Sequence, residues 1–221
     1  MKTGIVLSGC GVKDGSEIHE AVLTLLCLDQ IGSEIVCLAP DSNQTSVVNH
    51  ATDNLSAGEQ RSMLAESARI SRGTIHALSE ITAQDIDALI FPGGFGAAKN
   101  LSSFALDGPE CSVHPDVERI INELNDEGKP IGALCIAPVL LARVLGKRSI
   151  NIQITIGNDT GVAEAITAMG ATHIDCPVNE AVIDTRNHIV TSPAYMLAGS
   201  IKEVYTGAQA LVSSMQKLCT S

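Results

Sequence analysis

Apolar strand-like runs alternate with helical patterns along the whole chain, and this alternation constrains the fold more than any other feature. A first strand is expected over Ile5–Ser8, then a helix from about Ser16 to Ile31, stopped by Gly32 and capped by Asp14 or Ser16. Ile35–Ala39 reads as the second strand, and Ala88–Phe91 as a further one ending in Pro92-Gly93-Gly94. A helix over Pro115–Asn125 leads to a strand over Pro130–Leu134, and Ile152–Ile156 reads as a strand before a helix from Asp159 to Met169. Ala181–Asp184 and His188–Thr191 flank Arg186-Asn187 as a hairpin, and a last helix runs from about Leu197 to Leu218. Such alternation predicts an α/β fold: a doubly wound, mostly parallel sheet with helices on both faces and a small added hairpin.

Composition agrees. Hydrophobic residues make up 45% of the chain, yet aromatics only 2%, so the interior is aliphatic and suits strands covered on both faces. With 221 residues and no linker or low-complexity tract, residues 1–221 are expected to form a single domain. A net charge of −11 repels nucleic-acid phosphates and anionic membrane surfaces, so neither is an expected partner. Seven widely spaced cysteines without a C-x-x-C pair argue for a reducing compartment. The first strand begins almost at once, leaving no room for a signal or transit segment, and the apolar run Val22–Leu28 is too short to span a bilayer. A soluble, cytoplasmic location is therefore expected.

Two segments elaborate this plan. Residues 41–73 contain Ser56-Ala57-Gly58-Glu59, an S-x-x-E capping box expected to open a helix ending near Arg69 and Arg72. Those arginines would complement a helix C-terminus or, less simply, bind an anion. Residues 95–114 are rich in Gly, Ser and Asn and follow a strand's carboxyl end, the edge where open α/β sheets bind ligands.

The chemistry concentrates in Gly132-Ala133-Leu134-Cys135-Ile136-Ala137-Pro138. A cysteine between a short buried strand and a helix sits on a tight turn, where the helix N-terminus offers unpaired N–H groups to a thiolate. This is the cysteine version of a nucleophile elbow. A buried core cysteine is the competing reading, because free Cys is among the most buried residue types. Pro92-Gly93-Gly94 supplies backbone N–H groups suited to an oxyanion site, although the tripeptide is also a common tight turn. Glu17 and Glu20 fall in the first turns of the first helix, where they either complement its dipole or act as a proton carrier for the cysteine. His19 flanks them and is either a pocket wall or a solvated side chain. No His adjoins Cys135, and no Cys, His or carboxylate spacing suits a metal. Gly9-Cys10-Gly11-Val12-Lys13-Asp14-Gly15 imitates a dinucleotide fingerprint, but its glycines lie too far from the helix start, and the acids there repel a pyrophosphate. Cys10 and Cys111 are expected to be structural.

Taken together, the strand-end Pro92-Gly93-Gly94, the elbow at Cys135 and an acid on the first helix resemble the PfpI-like superfamily. That superfamily includes the Parkinson-associated deglycase and relates distantly to class I glutamine amidotransferases. One branch is closer: the runs 8–12, 14–23, 92–101, 135–138 and 191–197 are similar to the enhancing-lycopene-biosynthesis (ElbB) family, in the expected order. The resemblance implies a flavodoxin-like sheet, a homodimer, and glyoxalase activity without glutathione, metal or other cofactor. It carries the nucleophile onto Cys135, a backbone oxyanion site onto Gly94 and Ile136 beside Gly93, and the proton carrier onto Glu20, with Glu17 one turn earlier as contender. Pro193 and Tyr195, with His19, are candidate pocket walls. Ile136 stands where some relatives have His, and Ser192-Pro193-Ala194-Tyr195 holds no His, which argues against protease and amidotransferase activity. The implied reaction is conversion of glyoxal, or another small 2-oxoaldehyde, to the hydroxy acid. The rival from another class is a redox-sensing or regulatory thiol protein connected with isoprenoid metabolism, because a thiolate beside an acid is readily oxidised.

Overall fold

Strand β1 (Lys2–Val6) is buried over its last four residues, as a central strand must be, and residues 1–219 are described by the computed structural model that contains it. Helix α1 (Ile18–Gln30) returns the chain to β2 (Glu34–Ala39), which pairs parallel to β1. A short antiparallel pair, β3 (Val48–Asn49) and β4 (Asn54–Leu55), precedes α2 (Met63–Ile70) and the edge strand β5 (His76–Ala77). Strand β6 (Ala88–Phe91) pairs with the other side of β1 and feeds α3 (Phe95–Lys99) and α4 (Phe104–Asp107). Helix α5 (Pro115–Asp126), strand β7 (Ile131–Leu134) and helix α6 (Pro138–Lys147) follow. Strands β8 (Gln153–Ile154) and β9 (Thr172–His173) flank α7 (Thr160–Ala168), and the hairpin β10 (Val182–Asp184) and β11 (Ile189–Ser192) precedes α8 (Ile201–Cys219).

The main sheet has seven strands in the order β10-β11-β7-β6-β1-β2-β5, parallel except for the β10–β11 hairpin. This is the doubly wound, flavodoxin-like α/β architecture, with the order reversing beside β1. Ile120 and Leu124 of α5 with Leu140 and Val144 of α6 form the core on one side; Leu28 of α1 with Leu211 and Met215 of α8 form that on the other. Gly132 is small because α8 lies directly on it: a Cβ there would strike the Met215 sulfur.

Three local expectations are corrected. Helix α1 starts at Ile18 and its cap is Glu17, whose carboxylate accepts from the Glu20 N–H at 2.7 Å. Ser16 is unavailable as cap because its hydroxyl accepts from the Ser8 N–H at 2.9 Å. Ser56–Glu59 opens no helix, since Gly58 takes φ +83°; α2 begins later, capped by Ser62. The expected strand at 152–156 shrinks to Gln153–Ile154, which pairs with Thr172–His173 in a separate two-stranded sheet.

Candidate active site

The carboxyl ends of β1, β6, β7 and β11 converge at the point where strand order reverses, and each delivers one part of the site. Cys135 follows the last residue of β7 and sits at φ +60°, a left-handed conformation uncommon for a side chain with a Cβ. Two backbone hydrogen bonds hold it there: its own N–H donates to the Ser192 carbonyl at 3.0 Å, and the Ala137 N–H donates to the Leu134 carbonyl at 3.0 Å. Pro138 then begins α6, where its missing N–H is no loss. The turn aims the thiol at the strand-end glycines after β6.

Gly93 is required by space. A Cβ there would lie 2.5 Å from the Cys135 Cβ, 2.7 Å from Glu20 Oε2 and 3.0 Å from the Cys135 sulfur. Its carbonyl accepts from the Glu17 N–H at 2.9 Å and its own N–H donates to Glu20 Oε2 at 2.9 Å, so the β6 turn and the start of α1 are tied twice. The expectation that Gly93 contributes an oxyanion donor is therefore corrected: Glu20 already holds its N–H. Gly94, at φ +93°, and Ile136 instead turn their N–H groups toward the Cys135 sulfur.

Glu20 is fully buried. Its second oxygen accepts from the Tyr195 N–H at 3.1 Å, and the carboxyl also hydrogen-bonds the Cys135 thiol. Burial pushes the Glu20 carboxyl up to about 7; the Glu17 charge adds to this, while the N–H of Tyr195, the thiol and the N–H of Gly93 oppose it. Burial likewise drives the Cys135 thiol upward, Glu20's negative charge adds, and the N–H groups of Gly94 and Ile136 favour the thiolate. One negative charge is thus shared between sulfur and carboxyl, and the two groups titrate as a pair.

Glu17, 8% exposed, caps α1 through Oε2, and its Oε1 lies 3.9 Å from His19 Nδ1. His19 is exposed and hydrogen-bonds the Tyr195 hydroxyl at 2.8 Å. A cavity of about 350 Å³ opens over Cys135, walled by Glu17, Gly94, Ile136, Tyr195 and a set of apolar side chains. Of the three expected pocket walls only Tyr195 lines it; His19 hydrogen-bonds Tyr195 without lining the cavity, and Pro193 is buried. The rest of the wall, Val12, Phe95, Ala98, Phe104, Ala105 and Met196, comes from three separate segments and has no motif in the sequence.

The glycine-rich loop after β1 is a brace. Its Val12 and Gly15 carbonyls accept from the Phe95 and Gly96 N–H groups at 2.8 and 2.9 Å, and Asn100 Nδ2 donates to the Ser8 and Asp14 carbonyls at 2.9 and 2.7 Å. It offers carbonyls to α3 rather than amides to a phosphate. Arg69 pairs with Glu66 at 2.9 Å, Cys111 is buried and Cys10 half-buried. Among the described residues no three His, Cys, Asp or Glu side chains are grouped to hold a metal ion.

No family model matches the chain. It is 46% identical over 226 residues to the Homo sapiens "Glutamine amidotransferase-like class 1 domain-containing protein 3, mitochondrial", covering 98% of this chain and 83% of that one. It is 44% identical over 226 residues to the Rattus norvegicus "ES1 protein homolog, mitochondrial", covering 98% and 84%. The Danio rerio "ES1 protein, mitochondrial" is 36% identical over 208 residues, covering 87% and 76%. Among solved structures, an isoprenoid biosynthesis protein with amidotransferase-like domain from Ehrlichia chaffeensis matches with a TM-score of 0.92 and 38% identity, covering 99% of both chains. Drosophila melanogaster DJ-1beta, at 17% identity and TM-score 0.57, covers 99% of this chain and 96% of that one and shares the fold. These names correct the expected cytoplasmic location, since all three relatives are mitochondrial and point to that compartment. The early start of β1 had no bearing on the question, because an import leader is a removable extension and no part of the packed fold.

Proposed function

This chain belongs to the family of the ES1 proteins and the glutamine amidotransferase-like class 1 domain-containing protein 3, on the DJ-1/ThiJ/PfpI fold, and on that premise we propose that it is a cofactor-independent glyoxalase. Within the superfamily we assign it to the ElbB branch, which the name of the Ehrlichia chaffeensis protein supports. The observation that carries the activity is the hydrogen-bonded Cys135–Glu20 pair at the base of the cavity.

In this reading the thiol proton passes to Glu20 and the thiolate adds to an aldehyde carbon of glyoxal. A C–S bond forms, the carbonyl π pair moves to oxygen, and the N–H groups of Gly94 and Ile136 hold that charge as they held the sulfur's. Glu20 returns its proton to the oxygen, giving a neutral hemithioacetal. As carboxylate it then takes the proton from the sulfur-bearing carbon and returns it to the neighbouring carbon through an enediol, while the hydroxyl proton of the first carbon passes to the oxygen of the second. The result is a thioester of glycolate. Water cleaves it, releasing glycolate and restoring the thiol, so the sum is glyoxal plus water to glycolate and a proton. A carboxyl of pKa about 7 suits both halves of this shuttle at neutral pH. Glu17 stays on its cap and tunes Glu20 by its charge.

The test is turnover of carbon-labelled glyoxal to glycolate by protein pretreated with a chelator, followed by NMR. Cys135→Ala should lower turnover at least ~10³-fold. Wild-type turnover in that variant refutes the proposal. Stoichiometric peroxide oxidation of Cys135 without glyoxal turnover would transfer the site to the redox-sensing alternative.

A further inference from the structure

The cavity is larger than glyoxal needs and of the wrong polarity for it. At the roughly 30 Å³ that a water occupies in the liquid, glyoxal's two carbons and two oxygens would fill on the order of 120 Å³. The cavity measures about 350 Å³. Apart from Glu17, Cys135, Tyr195 and the Gly94 and Ile136 N–H groups at the sulfur, its walls are apolar side chains, among them Val12, Phe95, Ala98, Phe104 and Met196. Among the described residues no Lys, Arg or His lines it, the Lys99 ammonium resting instead on the Phe95 ring at 4.7 Å, and Glu17 in the wall repels a phosphorylated or carboxylated substrate. The apolar wall also continues to the protein surface. Phe95, with the Lys99 ammonium over its ring, and Val12 remain 50% and 38% exposed at the cavity mouth.

From this juxtaposition of a thiol–carboxyl pair with a mostly apolar wall that holds no cation among the described residues we infer that the substrates are 2-oxoaldehydes bearing an apolar chain of about four to six carbons, with glyoxal a minimal analogue. The inference rests on the proposed chemistry for the reacting group and on the cavity for the chain. The steps balance as before: the thiolate adds to the terminal aldehyde, hydrogen moves to the former ketone carbon, and water releases the 2-hydroxy acid. The chain lies along Phe95, Phe104 and Met196 and takes no part in bond making. Each methylene that it buries is worth a factor of about four in affinity.

Two series separate the chain preference from the chemistry. The first labels the full protein with N-methyl-, N-butyl- and N-hexylmaleimide. The rate at Cys135 is followed by peptide mass mapping and divided by the rate with a free thiol in water. The expected rate rises at least ~10-fold from methyl to butyl. A flat or falling series overturns the inference, whatever the protein turns over. Ala105→Phe, at an exposed position on the cavity wall, should then reduce the butyl-to-methyl ratio at least ~3-fold. An unchanged ratio would put the chain elsewhere and also overturn the inference. The second series compares kcat/KM for methylglyoxal and 2-oxohexanal, with an expected gain of at least ~10-fold for the longer substrate. If neither is turned over while labelling rises with chain length, the glyoxalase reading fails and the apolar-chain assignment stands for another electrophile. If glyoxal is turned over while labelling is flat, the assignment fails and the glyoxalase reading stands.

Discussion

Glu20 should make the stability of this protein depend on pH in a direction opposite to the usual carboxylate case, and Glu20→Gln should remove that dependence. A glutamate with an ordinary value of 4.5 that burial holds near 7 is protonated in the folded state across a range where the unfolded chain ionises it. Its favourable contribution is fully present below about pH 4.5 and is lost as pH rises through about 7. At about 1.4 kcal/mol per pH unit the loss amounts to about 3 kcal/mol for the wild type. Glutamine is nearly isosteric and does not titrate. It has one carbonyl oxygen where Glu20 has two acceptors, so either the Gly93 or the Tyr195 N–H loses its partner, at a cost of about 1–3 kcal/mol at every pH. The variant should therefore melt below wild type near pH 5 and at or above it near pH 8. About 2.5 kcal/mol of that loss falls between pH 5 and 8, so at about 2–4 °C per kcal/mol for a chain of this size the difference in Tm should change by about 5–10 °C between those conditions. Differential scanning calorimetry of both proteins at the two pH values measures this directly. Repeating the pair in a Cys135→Ala background removes the coupled thiol and leaves burial, the Glu17 charge and the Tyr195 and Gly93 N–H groups acting on Glu20. A Tm difference that is the same at both pH values refutes the raised Glu20 and, with it, the shared-charge pair.

The rate of Cys135 alkylation by iodoacetamide should keep rising above pH 9, because burial and the Glu20 charge push the thiol up; a plateau already reached at neutral pH would refute that. Glu17→Gln removes a charge that lifts Glu20 while its side-chain carbonyl can still cap α1, so the loss of Tm on Glu20 ionisation, near pH 7 in the wild type, should move to lower pH; an unmoved transition excludes Glu17 as a tuning charge. Gly93→Ala places a Cβ 2.5 Å from that of Cys135, so glyoxal turnover should fall at least ~10²-fold with a destabilisation of about 1–3 kcal/mol, and full turnover would show that this gap is not closed.

The sheet was legible because burial writes itself into composition. Ala88–Phe91 is a continuous apolar run in the sequence and a fully buried strand in the fold, and the elbow at Cys135 announced itself through the small residues that a sharp turn requires. What was not legible depends on partners far away in the chain. Glu17 as an N-cap runs against the usual preference for Ser, Thr, Asp and Asn, and is selected because Ser16 is held by Ser8. Gly93 lost its expected oxyanion role to Glu20, seventy-three residues away, a pairing that only the sheet order creates. The Tyr195 N–H on Glu20 was hidden for the same reason: it needs Ala194 at φ +43°, and no residue type there signals such a conformation. The apolar cavity was invisible because its wall gathers Val12, the helices after β6 and the turn after β11.

The three strand-end amides divide their work in a way that fixes the charge the site can carry. Gly93 holds the acid, while Gly94 and Ile136 face the sulfur, and no cation lines the cavity among the described residues. Two amides and a shared proton accommodate a single negative charge, whether it rests on sulfur, on carboxyl or on an oxyanion formed from a neutral carbonyl. A second charge has nothing to meet it, and Glu17 in the wall opposes it. In the proposed reaction a neutral aldehyde enters and a carboxylate is formed at the last step. The electrostatics that admit the substrate are therefore those that reject the product, so release needs no moving lid: the anion leaves because hydrolysis has made it the one species the cavity does not neutralise.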